Sequence, residues 1–216
     1  MLKRDNIFFK DRTEAGFLLS QKLAKYKSKK NAIVLGIPRG GVVVAKAVSE
    51  NLKLPLDIVV TKKIGAPNQE ELAIGAVGPE GTIILDNKLI DTLGVKREYI
   101  EKMASQKSDE IVERLIKFGK TKDSKFKNKT IILIDDGIAT GATVEVAVKY
   151  LKYKKANKII IAVPIIPKST VPKFKNMVDE LIALKIPFVF DSVGRFYKDF
   201  SQVTDNEVSK IIKRNN

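Results

Sequence analysis

T-I-I-L-I-D-D-G-I-A-T-G-A-T-V, residues 130–144, is the stretch that decides how the chain is read. Residues 131–134 are aliphatic throughout and mostly β-branched. Such a run predicts a strand covered on both faces of a parallel sheet, where polar alternation disappears. Two carboxylates, Asp135 and Asp136, follow at its carboxyl end, and Gly137, Ala139, Thr140 and Gly141 then form a loop of small residues. Residues 142–150 continue with helical character. The N–H groups of such a loop, and the positive end of the helix it opens, can hold a phosphate dianion. Thr140 and Thr143 add hydroxyl donors, and glycine lets the backbone come close. The two aspartates can accept hydrogen bonds from the hydroxyls of a ribose. Strand, acidic pair, loop and helix together predict a site for a phosphorylated, polyhydroxylated ligand. A plain strand-to-helix turn capped by threonine would explain the loop, but not its combination with the acidic pair.

This stretch resembles the signature of the type I phosphoribosyltransferases, which bind phosphoribosyl pyrophosphate (PRPP) at a hydrophobic strand, two acidic residues and a Gly-Thr loop. The match is unbroken from Ile131 to Thr143. The resemblance implies an α/β fold: a mostly parallel, twisted sheet flanked by helices, with a small hood built from the terminal segments. It also implies Mg²⁺, with Asp135 and Asp136 as its protein carboxylates. The 5′-phosphate would lie on the loop Ala139, Thr140, Gly141, Ala142 and Thr143, with Gly137 also among the substrate-binding residues.

The totals agree with a globular protein. A length of 216 residues fits one domain, 1–216, and 44% hydrophobic with 30% charged residues is ordinary for a packed core. There is no cysteine and no histidine. Disulfides, thiolate chemistry and the usual general base are therefore excluded. Carboxylates, lysine, arginine and a loosely held hard cation remain. No apolar leader opens the chain, and the longest aliphatic run, 159–166, is far short of the ~20 residues that cross a bilayer. A cytoplasmic protein, acting as a homodimer, is expected. The net charge of +15 leaves nucleic acid open as a partner. However, no zinc-finger spacing or RRM-type basic aromatic strand accompanies it, so a lysine-rich surface suited to small anions is the preferred reading.

Outward from the centre, residues 13–26 place Ala15, Leu18, Leu19, Leu23 and Tyr26 on one helical stripe. A strand is predicted at 32–37, then the turn L-G-I-P-R-G-G and a helix over 42–52. Taken alone, that turn is a plain connection. Under the resemblance it is the pyrophosphate loop, with Pro38, Arg39, Gly40 and Gly41 around the leaving group. In resembling enzymes this loop often holds a cis peptide that is not X–Pro, and the matching bond is Pro38–Arg39. A third strand, 56–61, leads to Lys62 and Lys63, one of which is implied to reach the pyrophosphate. Residues 64–72, rich in turn formers, predict a mobile lid.

Residues 73–77 and 82–85 predict a hairpin, and helices follow at 87–93 and 96–118. A lysine-rich loop spans 119–129. Beyond the central motif come a strand at 158–164, a helix from Val171, and shorter strand candidates at 181–183 and 188–190. Thr204 with Glu207 predicts a capping box for a last helix. Phe196, Tyr197 and Phe200 read as core before base pocket.

The resemblance implies transfer of the phosphoribosyl group from PRPP to a nitrogenous acceptor, with Asp135, Asp136, Arg39, Lys62 and Lys63 as catalytic residues. The alternative is a PRPP-sensing regulatory or RNA-binding protein that performs no transfer. The acceptor is not legible, since that pocket lies in the variable hood of the fold.

Overall fold

The computed structural model describes residues 8–120 and 126–213, so part of the predicted 119–129 loop lies outside it. Five parallel strands form the main sheet: β1 (Ala32–Gly36), β2 (Leu56–Ile58), β6 (Thr130–Ile134), β7 (Lys158–Ile165) and β8 (Glu180–Lys185), in the order β2-β1-β6-β7-β8. The aliphatic runs are explained by coverage of both faces. Alternate residues of a strand point to opposite sides. Leu35, Ile131, Leu133 and Ile161 therefore meet Ala147, Val148 and Leu151 of α5 (Ala142–Tyr153). Val34, Ile132, Ile134 and Ile160 meet Val44 and Val48 of α2 (Gly40–Leu52), with Leu19 of α1 (Arg12–Lys22) and Leu23 just beyond it. The predicted stripe through Tyr26 is not one helix: α1 ends at Lys22 and a 3-10 turn carries Tyr26 into the core.

The sheet order reverses between β1 and β6. In open α/β sheets, the loops leaving the carboxyl ends of strands on either side of such a switch diverge and form a crevice. Here those loops are 37–41 and 135–141, the two read above as ligand loops. They are tied directly, since the Ile37 N–H donates to the Ile134 carbonyl at 2.9 Å.

Residues 64–72 are not a loop. β3 (Lys62–Ala66) and β4 (Gln69–Val77) pair antiparallel, and β5 (Ile83–Leu85) completes a second sheet of three strands. Pro67 and Asn68, the latter at φ 60°, form the two-residue connection between the paired Ala66 and Gln69. Their residue types suit a type II turn. The strand preference is masked because glycine and alanine stand where the hairpin passes close to its own backbone. A Cβ at Gly65 would lie 2.6 Å from the Glu70 carbonyl oxygen. Ile64 and Ile74 bury against Ile100, Ala104 and Ile111 of α4 (Arg97–Lys117), and the Tyr99 hydroxyl donates to the Gly65 carbonyl at 3.0 Å. The third predicted strand is shorter than read, ending at Ile58.

The short helices α3 (Asn87–Leu93) and α6 (Val171–Lys175) fall where predicted. Residues 188–190 form no strand: they run irregularly after β8, and Phe188 is 81% exposed, so the aromatic and β-branched content there reflects no sheet. The terminal segments meet as a hood. Phe9 bridges to Tyr197, and both pack with Ala15, Ile165 and Phe196. Phe196 and Tyr197 are core, whereas Phe200 is 36% exposed. α7 (Asp205–Lys213) opens with a reciprocal capping box: the Glu207 N–H donates to Thr204 Oγ1 at 3.2 Å, and the Thr204 N–H to Glu207 Oε2 at 2.7 Å.

Candidate active site

The acidic pair sits where β6 ends, pressed against the start of α2. A side-chain carbon at Gly40 would overlap the Asp136 carboxylate, and one at Gly41 would lie 2.8 Å from Asp135 Cα. Only glycine lets the two loops approach this closely. The Pro38–Arg39 peptide bond is cis, as the resemblance implies. Gly40→Ala is expected to push Asp136 off its partners and cost about 1–3 kcal/mol by overpacking. A urea unfolding curve would measure this, and an unchanged midpoint would show that the loop has room to give.

The two carboxylates live in different surroundings. Asp136 Oδ2 accepts from Arg12 Nε at 2.8 Å, an ion pair whose side chains are 10% and 15% exposed. Arg12 Nη1 also donates to the Ser201 carbonyl at 2.8 Å, and its guanidinium lies 3.8 Å above the Phe200 ring. The Tyr197 hydroxyl donates to the Asp136 carbonyl at 2.7 Å. Burial, and then the Asp136 charge, push the Tyr197 phenol well above its ordinary range, so it remains a donor. Asp135 Oδ1 accepts from the Asp136 N–H at 2.9 Å. Burial first, and then the neighbouring Asp136, raise the Asp135 carboxyl well above the usual carboxylate range. One acid is paired with a cation; the other is desolvated and reluctant to ionise.

Arg12 was missed by sequence reasoning, and there was a signal. It occupies the first turn of α1, just after the N-cap Asp11, where a cation opposes the helix dipole. A cation placed against that preference is a hint of a partner elsewhere, though not of which one. Tyr197 gave no comparable signal.

Gly141, at φ 77°, precedes α5, and no side chain caps that helix. Its first N–H groups are therefore open to a ligand. Ala139, Thr140 and Thr143 are exposed, while Gly137 packs its backbone beneath Val193. The structure thus places the whole loop at one rim of the crevice. Arg39 lies at the other rim, but its guanidinium faces α7, 3.6 Å from Asp205 Oδ1. Lys62 pairs with Glu110 Oε2 at 2.7 Å, and it lines a cavity beside Pro38 and Thr143. Of the two lysines, it is Lys62 that lines this cavity, next to Thr61. Among the described residues, no three carboxylate, histidine or cysteine side chains gather as a metal cage. None of the described helices is long and apolar enough to cross a membrane.

A parallel sheet with a crevice at its switch point, an acidic pair and an uncapped loop-helix junction define an α/β protein with a crevice suited to an anionic ligand. The family model of the phosphoribosyl transferase domain matches residues 11–173. Rv0571c of Mycobacterium tuberculosis strain H37Rv, provisionally named a phosphoribosyl transferase, is 37% identical over 207 residues. That alignment covers 95% of this chain and 46% of the relative, so the chain spans about half the length of the curated relatives it matches. The crystal structure of TT1426 from Thermus thermophilus superposes with a TM-score of 0.88 at 35% identity, covering 96% of this chain and 98% of that one. AQ2163 of Aquifex aeolicus shares the fold at a TM-score of 0.50 and 15% identity, covering 85% and 78%. The chain belongs to the phosphoribosyltransferase family.

Proposed function

We propose that the protein transfers a 5-phosphoribosyl group from PRPP to a nitrogenous acceptor, releasing pyrophosphate, within nucleotide metabolism and as a cytoplasmic homodimer. The observation that carries this reading is the juxtaposition of the 37–41 and 135–143 loops at the switch point. An uncapped helix end, an acidic pair and lysine and arginine side chains all border one crevice there.

In this reading the bond from C1 of the ribose to the pyrophosphate oxygen breaks, a bond from C1 to the acceptor nitrogen forms on the opposite face, and a proton leaves the acceptor to solvent. The N–H groups around Thr140–Thr143 fix the 5′-phosphate. Asp135 and Asp136 receive the ribose hydroxyls and sit near the carbon that gains positive charge. The Gly40 and Gly41 N–H groups, Arg39 and Lys62 face the departing pyrophosphate. Mg²⁺ keeps several waters and takes one or two carboxylates plus substrate oxygens. The carboxylate oxygens of Asp135 and Asp136 not engaged by Arg12 or by the Asp136 N–H suit that limited share, with charge neutralisation of the pyrophosphate as the ion's chemistry.

PRPP with Mg²⁺ is expected to raise the melting temperature, equivalent to about 2.7 kcal/mol at a hundred times Kd. Turnover is tested by following pyrophosphate release while purines, pyrimidines and other nitrogen heterocycles are supplied in turn. Stabilisation by PRPP without turnover on any acceptor would favour a sensing role. No stabilisation would overturn the reading.

A further inference from the structure

A cavity of about 200 Å³ lies between the two ligand loops, bounded by Pro38, Val60, Thr61, Lys62, Arg114 and Thr143. A second, more open one of about 210 Å³ shares Lys62 and Arg114 with it and continues outward to Arg39 and Lys117. α4 contributes Arg114, and it packs on the β3–β4 hairpin outside the main sheet. Nothing in the sequence motifs pointed to this helix.

The inner cavity contains an anomaly. Thr61 is 9% exposed, and its buried Oγ1 has no hydrogen-bond partner among the described residues. Buried hydroxyls are nearly always bonded, so an orphan in a cavity wall marks a place that a ligand atom can fill. The pairing of Lys62 points the same way. Its partner Glu110 also accepts from Lys107 at 2.6 Å. An anion could therefore take Lys62 without leaving the Glu110 carboxylate uncompensated. Arg114 borders both cavities, and a guanidinium presents paired donors that match phosphate oxygens. Arg39, by contrast, is turned toward Asp205 at the outer opening.

We propose that Arg114, with Thr61 Oγ1 and Lys62, binds the pyrophosphate moiety in the inner cavity, making α4 part of the substrate site. This rests on the PRPP reading above and extends it to residues outside the recognised loops. A ligand with phosphate at both ends then spans from the start of α5 to the cavity beneath Pro38. Arg39 becomes an outer contact, met as the anion departs.

Isothermal titration of the 216-residue chain with inorganic pyrophosphate plus Mg²⁺, and separately with ribose 5-phosphate, tests the assignment. Arg114→Gln is expected to weaken pyrophosphate binding by at least about tenfold, and Arg114→Lys by less. Thr61→Val, which removes a hydroxyl that has no partner to lose, should keep the melting temperature and weaken pyrophosphate binding by roughly three- to tenfold. Both should leave ribose 5-phosphate binding unchanged. Arg97→Gln, an exposed change on the same helix, controls for the loss of one positive charge and should alter neither. Pyrophosphate affinity unchanged in both Arg114→Gln and Thr61→Val, with ribose 5-phosphate still bound, would overturn this inference and leave the transferase reading intact. A wild-type chain that binds neither pyrophosphate, ribose 5-phosphate nor PRPP would overturn both.

Discussion

Replacing Arg12 with glutamine is expected to destabilise the fold by about 3–5 kcal/mol, the usual penalty when one partner of a buried ion pair is removed. The wild-type guanidinium meets Asp136, the Ser201 carbonyl and the Phe200 ring at once. It thereby joins α1 to the acidic pair and to the C-terminal hood. Without it, Asp136 stays in its desolvated setting beside Asp135 but loses its cation. A smaller effect runs the other way. Arg12 opposes the dipole of α1, and its removal should relieve about 0.3–1 kcal/mol there. The desolvated pair is the larger quantity and sets the sign. Lysine at this position keeps the charge but not the fork that reaches both oxygens, so stability should rank wild type, then Arg12→Lys, then Arg12→Gln. Urea unfolding of the three measures the order. A glutamine variant as stable as wild type would show that the pair contributes nothing net. Calorimetric titration with PRPP and Mg²⁺ should follow the same order, because Asp136 would no longer be held in place.

The contrast between the two kinds of structure in this chain is physical. Residues 32–36, 131–134 and 159–165 were legible because a strand covered on both faces needs only apolar side chains, and no other element of that length looks the same. Thr204 and Glu207 were legible because a capping box is local in sequence. The 135–143 loop stood out because glycine, threonine and acidic residues are concentrated in one short stretch, whereas the 37–41 turn stood out only through the family resemblance. The β3–β4 hairpin was not, since its apolar positions are separated by Gly65 and Ala66, which the packing needs and the periodicity hides. Arg12, Tyr197 and Arg114 lie far in sequence from the residues they approach. Nothing between Arg12 and Asp136 announces that they touch. The candidate loops could be picked out in the sequence, and the partners that pack against them became visible only once the sheet had brought them together.

That separation changes what the acidic pair should do under mutation. Asp136 cannot be exchanged for asparagine without leaving Arg12 buried beside a neutral group, whereas Asp135 can be tested alone. In an Asp135→Asn variant the new amide keeps an oxygen for the Asp136 N–H, so that hydrogen bond survives. The variant is expected to be more stable than wild type at neutral pH and weaker for PRPP. The stability half follows from linkage. Burial, then Asp136, raise the folded-state carboxyl of Asp135 above its unfolded value near 3.8. The folded chain then holds that proton more tightly than the unfolded one. The contribution of Asp135 to stability is fully present below the unfolded value and is lost as pH rises through the raised folded value. The asparagine variant has no such loss. The gap between variant and wild type should therefore be smallest at acid pH, below the unfolded value, and widen as pH climbs through that window. The binding half has the opposite sign. A charge-assisted hydrogen bond to a ribose hydroxyl is worth roughly 1.5–3 kcal/mol, so PRPP affinity should fall about ten- to a hundredfold. Melting curves across pH, paired with calorimetric titration of PRPP and Mg²⁺, read both quantities on the same protein. A variant less stable than wild type at neutral pH would contradict the desolvation of Asp135, and unchanged PRPP affinity would remove it from the ribose site. The two signs together would mark Asp135 as a residue placed at the expense of stability, where binding supplies the partners that its burial withholds.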